Sequence, residues 1–152
     1  MNQAVTLLLG VHAHQPVGNF PEVIEDAHQR CYKPFLETLH AYPDFRFAAH
    51  FSGWLLDWLR ERHPADMELL AAMVRRGQVE LFSSGDTEPV LAATPHRDRV
   101  AEMQTLNDKL AAWTGVRPQG AWLTERVWES SVVPALAATG IGYVTVDDYH
   151  FF

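Results

Sequence analysis

Apolar residues in this chain form short continuous runs, which are separated by longer stretches with helical spacing. Five runs have the length of a strand and lie at residues 4–11, 45–51, 79–83, 120–124 and 142–146. A continuous apolar run is typical of a strand buried on both faces, whereas a half-buried strand alternates apolar and polar residues. The pattern therefore predicts five buried strands.

The stretches between these strands carry apolar residues on one helical face. Helical segments are predicted over residues 20–42 and 53–76, interrupted by Pro34 and Pro64, and over residues 95–115 and 131–140. Strands that alternate with helices form right-handed β-α-β units, in which the strands run parallel. The fold class we expect is therefore α/β, with a parallel sheet.

Polar and ionisable side chains follow every predicted strand at its carboxyl end. In chain order they are His12, His14, Gln15, Asn19, His50, Ser52, Ser83, Ser84, Asp86, Glu88, Glu125, Arg126, Asp147, Asp148 and His150. The carboxyl ends of parallel strands meet at one rim of the sheet, where ligands usually bind. The sequence therefore predicts a ligand site at this rim.

The segment GAWLTERVWES at residues 120–130 places a charged pair within an apolar run. Glu125 lies just past the predicted strand, so we expect it at the rim rather than in the core. Trp122 and Trp128 lie nearby and offer flat apolar faces on which sugar rings can stack. The alternative is that Glu125 and Arg126 form an ordinary ion pair while the tryptophans pack between sheet and helix.

Composition narrows the classes of partner and compartment. The 152 residues, 47% of them hydrophobic, suit one domain spanning residues 1–152. A net charge of −7 disfavours nucleic acid, because phosphate binding needs clustered lysine and arginine. No apolar run approaches the ~20 residues of a membrane span and no signal peptide is evident, so we expect a soluble, cytoplasmic protein without a membrane partner. Cys31 is alone, which excludes an intrachain disulfide, and we expect it to be buried.

The carboxyl-terminal residues suggest that the sheet continues beyond this chain. The fifth predicted strand is followed only by residues 147–152, with no helix to cover it. An uncovered sheet edge invites pairing with another strand. We therefore expect the chain to be the amino-terminal fragment of a longer protein, and a homo-oligomer formed by edge pairing stays open.

Five motifs of the chain resemble glycoside hydrolase family 57 in order and spacing. They are HAHQPVGNF at residues 12–20, GQVELF at 77–82, EPVLA at 88–92, GAWLTERVW at 120–128 and YVTVDDYHF at 143–151. The likeness is strongest to the 4-α-glucanotransferases and α-amylase-like members, and it covers nearly the whole chain. It implies the amino-terminal portion, with about five strands, of a partial (β/α)7 barrel.

The resemblance also implies an activity: a retaining glycoside hydrolase or transferase that acts on α-1,4-glucans such as maltooligosaccharides. By the family's WLTE motif, Glu125 is the catalytic nucleophile. Retaining chemistry needs a second carboxyl group about 5–5.5 Å away as acid/base. The family's acid/base aspartate lies beyond residue 152, so we expect the chain alone to be inactive. Neither a cofactor nor a metal is implied.

Further residues at the rim are candidates for sugar binding. His12 and His14 are two residues apart on an extended segment, so both can face the site; in the family, histidines of this motif line the sugar subsite nearest the nucleophile. The same role is expected of other motif residues: Trp122, Arg126, Glu80, Glu88 and Asp147. Arg126 could also keep Glu125 ionised. Packing of Trp122 and a structural role for Glu80 stay open as alternatives.

Two other functions compete with this interpretation. One is a metal-dependent hydrolase of the polysaccharide deacetylase or mannosidase type, in which His12, His14 and Asp147 bind Zn²⁺ and Glu125 acts as a base. The other is a non-catalytic carbohydrate-binding domain. The remaining histidines, which the pattern places on helices or loops, are expected to be solvated: His28, His40, His63 and His96.

Overall fold

The computed structural model of the protein describes residues 5–151. Ala4 of the first predicted strand lies outside the described residues, as does Phe152. The described chain contains five strands: β1 (Gly10–Ala13), β2 (Phe47–Phe51), β3 (Val79–Phe82), β4 (Gly120–Ala121) and β5 (Tyr143–Val144). Each lies within or beside one of the five predicted apolar runs.

All paired strands run parallel. The first three form one sheet in the order β1-β2-β3, and β4 pairs with β5. Ser83 connects the two groups, since its N–H donates to the Gly120 carbonyl at 2.8 Å and its carbonyl accepts from the Trp122 N–H at 2.8 Å. The strands therefore follow one another in chain order, as the predicted partial barrel requires, and the α/β fold class is confirmed.

Six α-helices lie in the described chain: α1 (Pro21–Ala27), α2 (Lys33–His40), α3 (Gly53–Arg62), α4 (Pro64–Arg75), α5 (His96–Thr114) and α6 (Val133–Ala138). Local chemistry explains several helix ends. The Ser52 hydroxyl accepts from the Leu55 N–H at 3.4 Å and caps α3. Gly115 follows α5 with a φ of +79°, the left-handed conformation that glycine adopts readily. None of the helices within residues 5–151 has the length and hydropathy needed to cross a bilayer.

Two predicted boundaries were wrong. β1 begins at Gly10, near the end of the apolar run at residues 4–11, and continues to Ala13 beyond it, because hydrogen bonding to β2 fixes its position. The helix predicted to break at Pro34 instead continues through a π-helical turn (His28–Tyr32), in which the Lys33 N–H bonds the His28 carbonyl five residues back. Proline has no N–H to donate, so a local change in helical hydrogen bonding accommodates Pro34 without ending the helix.

The main core lies between the sheet and the helices α2, α3, α4 and α5. Ala49 and Leu81 of the sheet pack there against Leu55, Leu70 and Leu110. A second cluster lies behind β4 and the following turns and includes Leu123 and Ile141. Cys31 was expected in the core, but it is exposed: it lies in the π-helical turn and lines an open apolar cavity together with Leu36 and Ala49 of the core.

The opposite face of the sheet carries the side chains of the predicted site. Residues aligned across parallel strands point to the same face. His12 is aligned with His50, and Gly10 is aligned with Ala48, two residues earlier on each strand. His12 and His50 therefore lie together near the carboxyl ends of β1 and β2, on the face turned away from the helical core.

Candidate functional site

Five side chains form a contiguous group at the carboxyl rim, which we call the rim cluster: His12, His14, His50, Glu88 and Trp122. His12 lies on β1 and His14 just after it, His50 lies on β2, Glu88 lies in the segment after β3, and Trp122 directly follows β4. The fold thus brings together residues that lie up to 110 positions apart in sequence.

Glu88 holds His12 and His14 in place. Its carboxylate oxygens lie 3.2 Å from His12 Nε2 and 3.3 Å from His14 Nδ1, and only 6% of its side chain is exposed. Burial alone would raise the pKa of Glu88, but its hydrogen bond with His12 and the charges of the nearby histidines lower the pKa below its usual value. Glu88 is therefore an anionic anchor for both imidazoles.

His50 lies beneath His12 and is fully buried. The Nδ1 atoms of the two rings are 2.8 Å apart, and burial lowers the pKa of His50 to about 3. A carboxylate only accepts hydrogen bonds, so the His12 nitrogen facing Glu88 carries the hydrogen; in the neutral His12 ring, Nδ1 then accepts from His50. His50 is thus neutral, with its hydrogen on Nδ1, and its Nε2 has no hydrogen-bond partner among the described residues.

Trp122 completes the rim cluster by stacking on His12. The ring centroids are 4.7 Å apart and the planes differ by 12°. Trp122 is half-buried, and its Nε1 has no hydrogen-bond partner within residues 5–151. One face of the indole is therefore occupied by an imidazole, which fixes the orientation of both rings.

Glu125 lies on a backbone turn with unusual geometry. Its φ is +55° and that of Arg126 is +54°, so two consecutive residues are left-handed. Within the described chain, the third non-glycine residue with positive φ is Glu88. Such conformations are unfavourable for residues with a Cβ and concentrate at functional sites. The turn leaves the Glu125 side chain exposed just beyond the carboxyl end of β4.

Arg126 pairs with Asp147 rather than with Glu125. Its Nε lies 3.1 Å from Asp147 Oδ1, and both side chains have substantial solvent contact. The alternative of an ordinary Glu125–Arg126 ion pair is therefore wrong, because the double left-handed turn directs these neighbouring side chains differently. Among the described ion pairs, Glu125 has no cationic partner.

The structure also corrects the set of ligands expected for the competing metal-dependent hydrolase. Within residues 5–151, His12, His50 and Glu88 place one donor atom each within 4.8 Å of one another, whereas His14 and Asp147 do not join this group. Asp147 arrives after β5 and is held by Arg126. The sequence predicted His50 at the rim but not as a metal ligand. Recognising it as a ligand requires its alignment with His12 across β1 and β2, which the sequence pattern does not give.

Glu80 lies apart from the rim cluster. It is aligned with Ala48 on β2, two residues before His50 and thus nearer the amino ends of the strands. Its carboxylate accepts a hydrogen bond from the Tyr143 hydroxyl of β5, and burial together with Glu80 raises the pKa of Tyr143. This contact favours the structural role for Glu80.

Comparisons with known proteins agree with the resemblance seen in the motifs. The family model described as glycosyl hydrolase family 57 matches residues 8–152. A 4-alpha-glucanotransferase of Thermococcus kodakarensis is 47% identical over 149 residues, which are 98% of this chain and 23% of that protein. An alpha-amylase of Pyrococcus furiosus is 46% identical over 151 residues, covering 99% of this chain and 23% of that protein.

A solved structure gives the same result in three dimensions. The crystal structure of 4-alpha-glucanotransferase from Thermococcus litoralis superposes with a TM-score of 0.91 at 46% identity, covering 95% of this chain and 22% of that one. The chain thus spans less than a quarter of the length of these relatives. Because the family model covers nearly all of the sequence, the chain belongs to glycosyl hydrolase family 57.

Proposed function

We propose that this chain supplies the nucleophile of a retaining enzyme that transfers or hydrolyses α-1,4-linked glucans, and that Glu125 is the nucleophile. The observation that carries the proposal is the exposed carboxylate of Glu125 on a left-handed turn at the carboxyl rim. A left-handed backbone costs free energy at this position, and such strain is typical of sites where function depends on the direction of the side chain. Membership of the family and the named activities of its relatives supply the substrate class.

In this mechanism, the ionised Glu125 carboxylate attacks the anomeric carbon of a glucose unit and forms a covalent glycosyl-enzyme intermediate. A second carboxyl group about 5–5.5 Å away protonates the leaving oxygen and then activates the acceptor. Asp147 is a poor candidate for this acid/base, because its carboxylate is already held in an ion pair with Arg126. We assign the acid/base to a residue outside this chain.

The rim cluster is proposed to bind the sugar next to Glu125. His14 keeps 50% of its side-chain surface exposed while Glu88 fixes its ring, so it can bond sugar hydroxyls without a large loss of side-chain entropy. His12 is held by Glu88 and His50 and stacked on Trp122, so its position is fixed before substrate arrives. The cluster therefore acts as a preformed subsite wall.

The test requires a longer protein that includes this chain. Maltotriose is incubated with the wild type, with Glu125→Gln and with Glu129→Gln, a matched change at an exposed glutamate on the same segment. Glu125→Gln should lower both disproportionation and hydrolysis by more than about 10³-fold, the scale seen when a nucleophile is removed. Glu129→Gln should retain activity. Full turnover in the Glu125 variant removes this residue from the mechanism.

Transferase and hydrolase activity differ in the acceptor that resolves the intermediate. We propose transfer to a sugar hydroxyl as the main reaction, on the likeness to the two 4-alpha-glucanotransferases. Maltotriose separates the two outcomes, because transfer produces longer oligosaccharides whereas hydrolysis produces only shorter ones. If glucose and maltose account for all product at the earliest times, the transferase assignment is wrong.

A metal-dependent hydrolase is the second candidate, and the donor atoms of His12, His50 and Glu88 favour it. His50 is neutral, which is the form that binds Zn²⁺. The direct hydrogen bond between the Nδ1 atoms of His12 and His50 disfavours it, since it uses a nitrogen from each ring. A stoichiometric zinc in the purified protein, lost together with activity in His12→Gln, would decide for this candidate.

A further inference from the structure

A second group of histidines and carboxylates lies away from the rim. It comprises Glu25, His28, His63 and Asp66, and we call it the interhelix cluster. His28 opens the π-helical turn after α1, and His63 is the residue between α3 and α4. The sequence predicted that His28 and His63 would be solvated, but His28 is fully buried and His63 is mostly buried. Packing of α1 against the α3–α4 junction causes the difference.

The four side chains are paired crosswise between two chain segments. His28 Nε2 lies 2.9 Å from Asp66 Oδ2, and His63 Nε2 lies 2.8 Å from Glu25 Oε2. Each segment contributes one histidine and one carboxylate three residues apart, and the pairs join residues 38 positions apart. Glu25 and His28 lie one helical turn apart, and His63 directly precedes the first turn of α4, which contains Asp66, so each segment presents both of its donors to the other.

The two imidazoles are stacked between the carboxylates. Their ring centroids are 3.8 Å apart and the ring planes differ by 24°. Two protonated rings at this separation would repel, and burial together with the nearby His63 lowers the pKa of His28 despite its bond to Asp66. The described ion pairs of Glu25 and Asp66 involve only these histidines, so the cluster has excess negative charge.

We propose that the interhelix cluster is a binding site for a divalent transition metal of the Zn²⁺ type. The ligands are His28 Nε2, His63 Nε2 and Asp66 Oδ2, and the Glu25 carboxylate supplies the fourth. Two imidazole nitrogens and two carboxylate oxygens form a tetrahedral set that suits Zn²⁺ better than Mg²⁺ or Ca²⁺, which prefer oxygen alone.

The distances require only small movements for coordination. His28, His63 and Asp66 already place one donor atom each within 4.8 Å of one another. Donor atoms around a tetrahedral zinc are about 3.3 Å apart, given bonds of about 2.0–2.1 Å. Rotation of the side chains closes this difference, and Glu25, with 44% of its side chain exposed, is free to move toward the ion. That exposure also provides a route of entry.

The position of the cluster assigns the metal a structural role. It would join the α1 segment to the α3–α4 junction, and a π-helical turn, a feature often found at functional positions, begins at one of the ligands. The site is independent of the proposed glucan chemistry, because none of its residues belongs to the rim cluster. Its failure would therefore leave that proposal intact.

The test uses the 152-residue chain without an affinity tag and freed of metal with a chelator. Zn²⁺ is titrated by calorimetry, and Co²⁺ is added separately to record the visible absorption of a tetrahedral complex. We expect one equivalent to bind and to raise the midpoint of thermal unfolding, because a ligand of the native state stabilises it. His63→Gln and Asp66→Asn should each weaken binding at least tenfold, since even partners outside the ligand shell contribute that much.

Two variants serve as controls. His96→Gln removes an exposed histidine at the start of α5, and His12→Gln removes the metal-capable group at the rim. Both should keep the Zn²⁺ affinity and the Co²⁺ spectrum, with circular dichroism used to check that every variant is folded. Absence of binding by the wild-type chain overturns the proposal. Binding that is lost in His12→Gln but kept in His63→Gln overturns it as well, and assigns the ion to the rim.

Discussion

The left-handed turn at Glu125 leads to a prediction about stability that needs no substrate. Replacing Glu125 by glycine or by alanine removes the same exposed carboxylate, so the two variants differ only in what their backbones tolerate. Glycine adopts a φ of +55° freely, whereas alanine is strained there. We therefore expect Glu125→Gly to be more stable than Glu125→Ala.

The expected difference follows from two opposing terms. A residue with a Cβ costs about 1–2 kcal/mol in the left-handed region. Glycine loses more backbone entropy on folding, which costs about 0.5–1 kcal/mol relative to alanine. The net advantage of glycine at position 125 is therefore about 0.5–1 kcal/mol, the reverse of its usual effect.

Glu129 provides the matched control on the same segment. It is exposed, but its φ is −143° and its ψ is 140°, an extended conformation that alanine adopts without strain. There, Glu129→Ala should be more stable than Glu129→Gly by about 0.5–1 kcal/mol. Urea denaturation of the four variants measures both differences, and their sum returns the ~1–2 kcal/mol cost of the left-handed backbone.

The sign of the stability difference between Glu125→Gly and Glu125→Ala tests whether the turn is strained. If alanine is more stabilising than glycine there by the same margin as at position 129, the turn carries no strain and the backbone argument for Glu125 fails. If glycine wins at both positions, the difference reflects the denatured state of this segment rather than the turn.

Two further predictions concern His50 and the glycines. The pKa of His50 is lowered from 6.5 to about 3 in the folded chain. Below pH 6.5, His50 therefore binds a proton in the unfolded chain but not in the folded chain. The free energy of unfolding should thus fall by about 1.6 kcal/mol between pH 6.5 and 5, and His50→Gln should remove that loss; equal pH slopes in urea titrations contradict this. Gly53→Ala would place a Cβ 1.8 Å from Asp86 Oδ1 and should lower the free energy of unfolding by about 1–3 kcal/mol. In the control Gly142→Ala, the nearest atom to the new Cβ is 3.9 Å away, so stability should change little. Equal thermal midpoints for the two variants contradict the packing argument.

Local patterns predicted the elements whose own sequence determines them. The run at residues 45–51 contains β2, and α5 ends at a glycine with left-handed backbone, as predicted for Gly115. The parallel order of strands followed from the alternation of strand and helix patterns, and it is confirmed. In each case neighbouring residues contain the information, because hydrophobic period and backbone preference are local properties.

The elements and contacts that sequence reasoning missed depend on residues far away in sequence. β1 was placed too early because pairing with β2, rather than hydropathy, brings His12 into the strand. His28 was expected to be solvated, and only the packing of a segment 38 residues later buries it against Asp66. Cys31 was expected in the core, but it is exposed and lies in a π-helical turn, which hydropathy does not encode.

The candidate site was predicted in location but not in its internal contacts. Convergence of strand ends placed His12, Glu88 and Glu125 at one rim, which needs only the parallel sheet. The pairing of Arg126 with Asp147 was not foreseen, since it depends on two consecutive left-handed residues that are not glycine. The roles of these residues in binding and catalysis stay predictions.

Two imidazoles joined through their Nδ1 atoms share one hydrogen position, so neither can change its tautomer alone. When a group at the rim donates a hydrogen bond to His12 Nε2, the hydrogen of the neutral His12 ring lies on Nδ1, and His50 must move its own hydrogen to Nε2. A sugar hydroxyl that displaces Glu88 from His12 would therefore alter a ring that has no solvent contact. The ¹⁵N chemical shifts of His50 thus report, from inside the protein, on what occupies the rim.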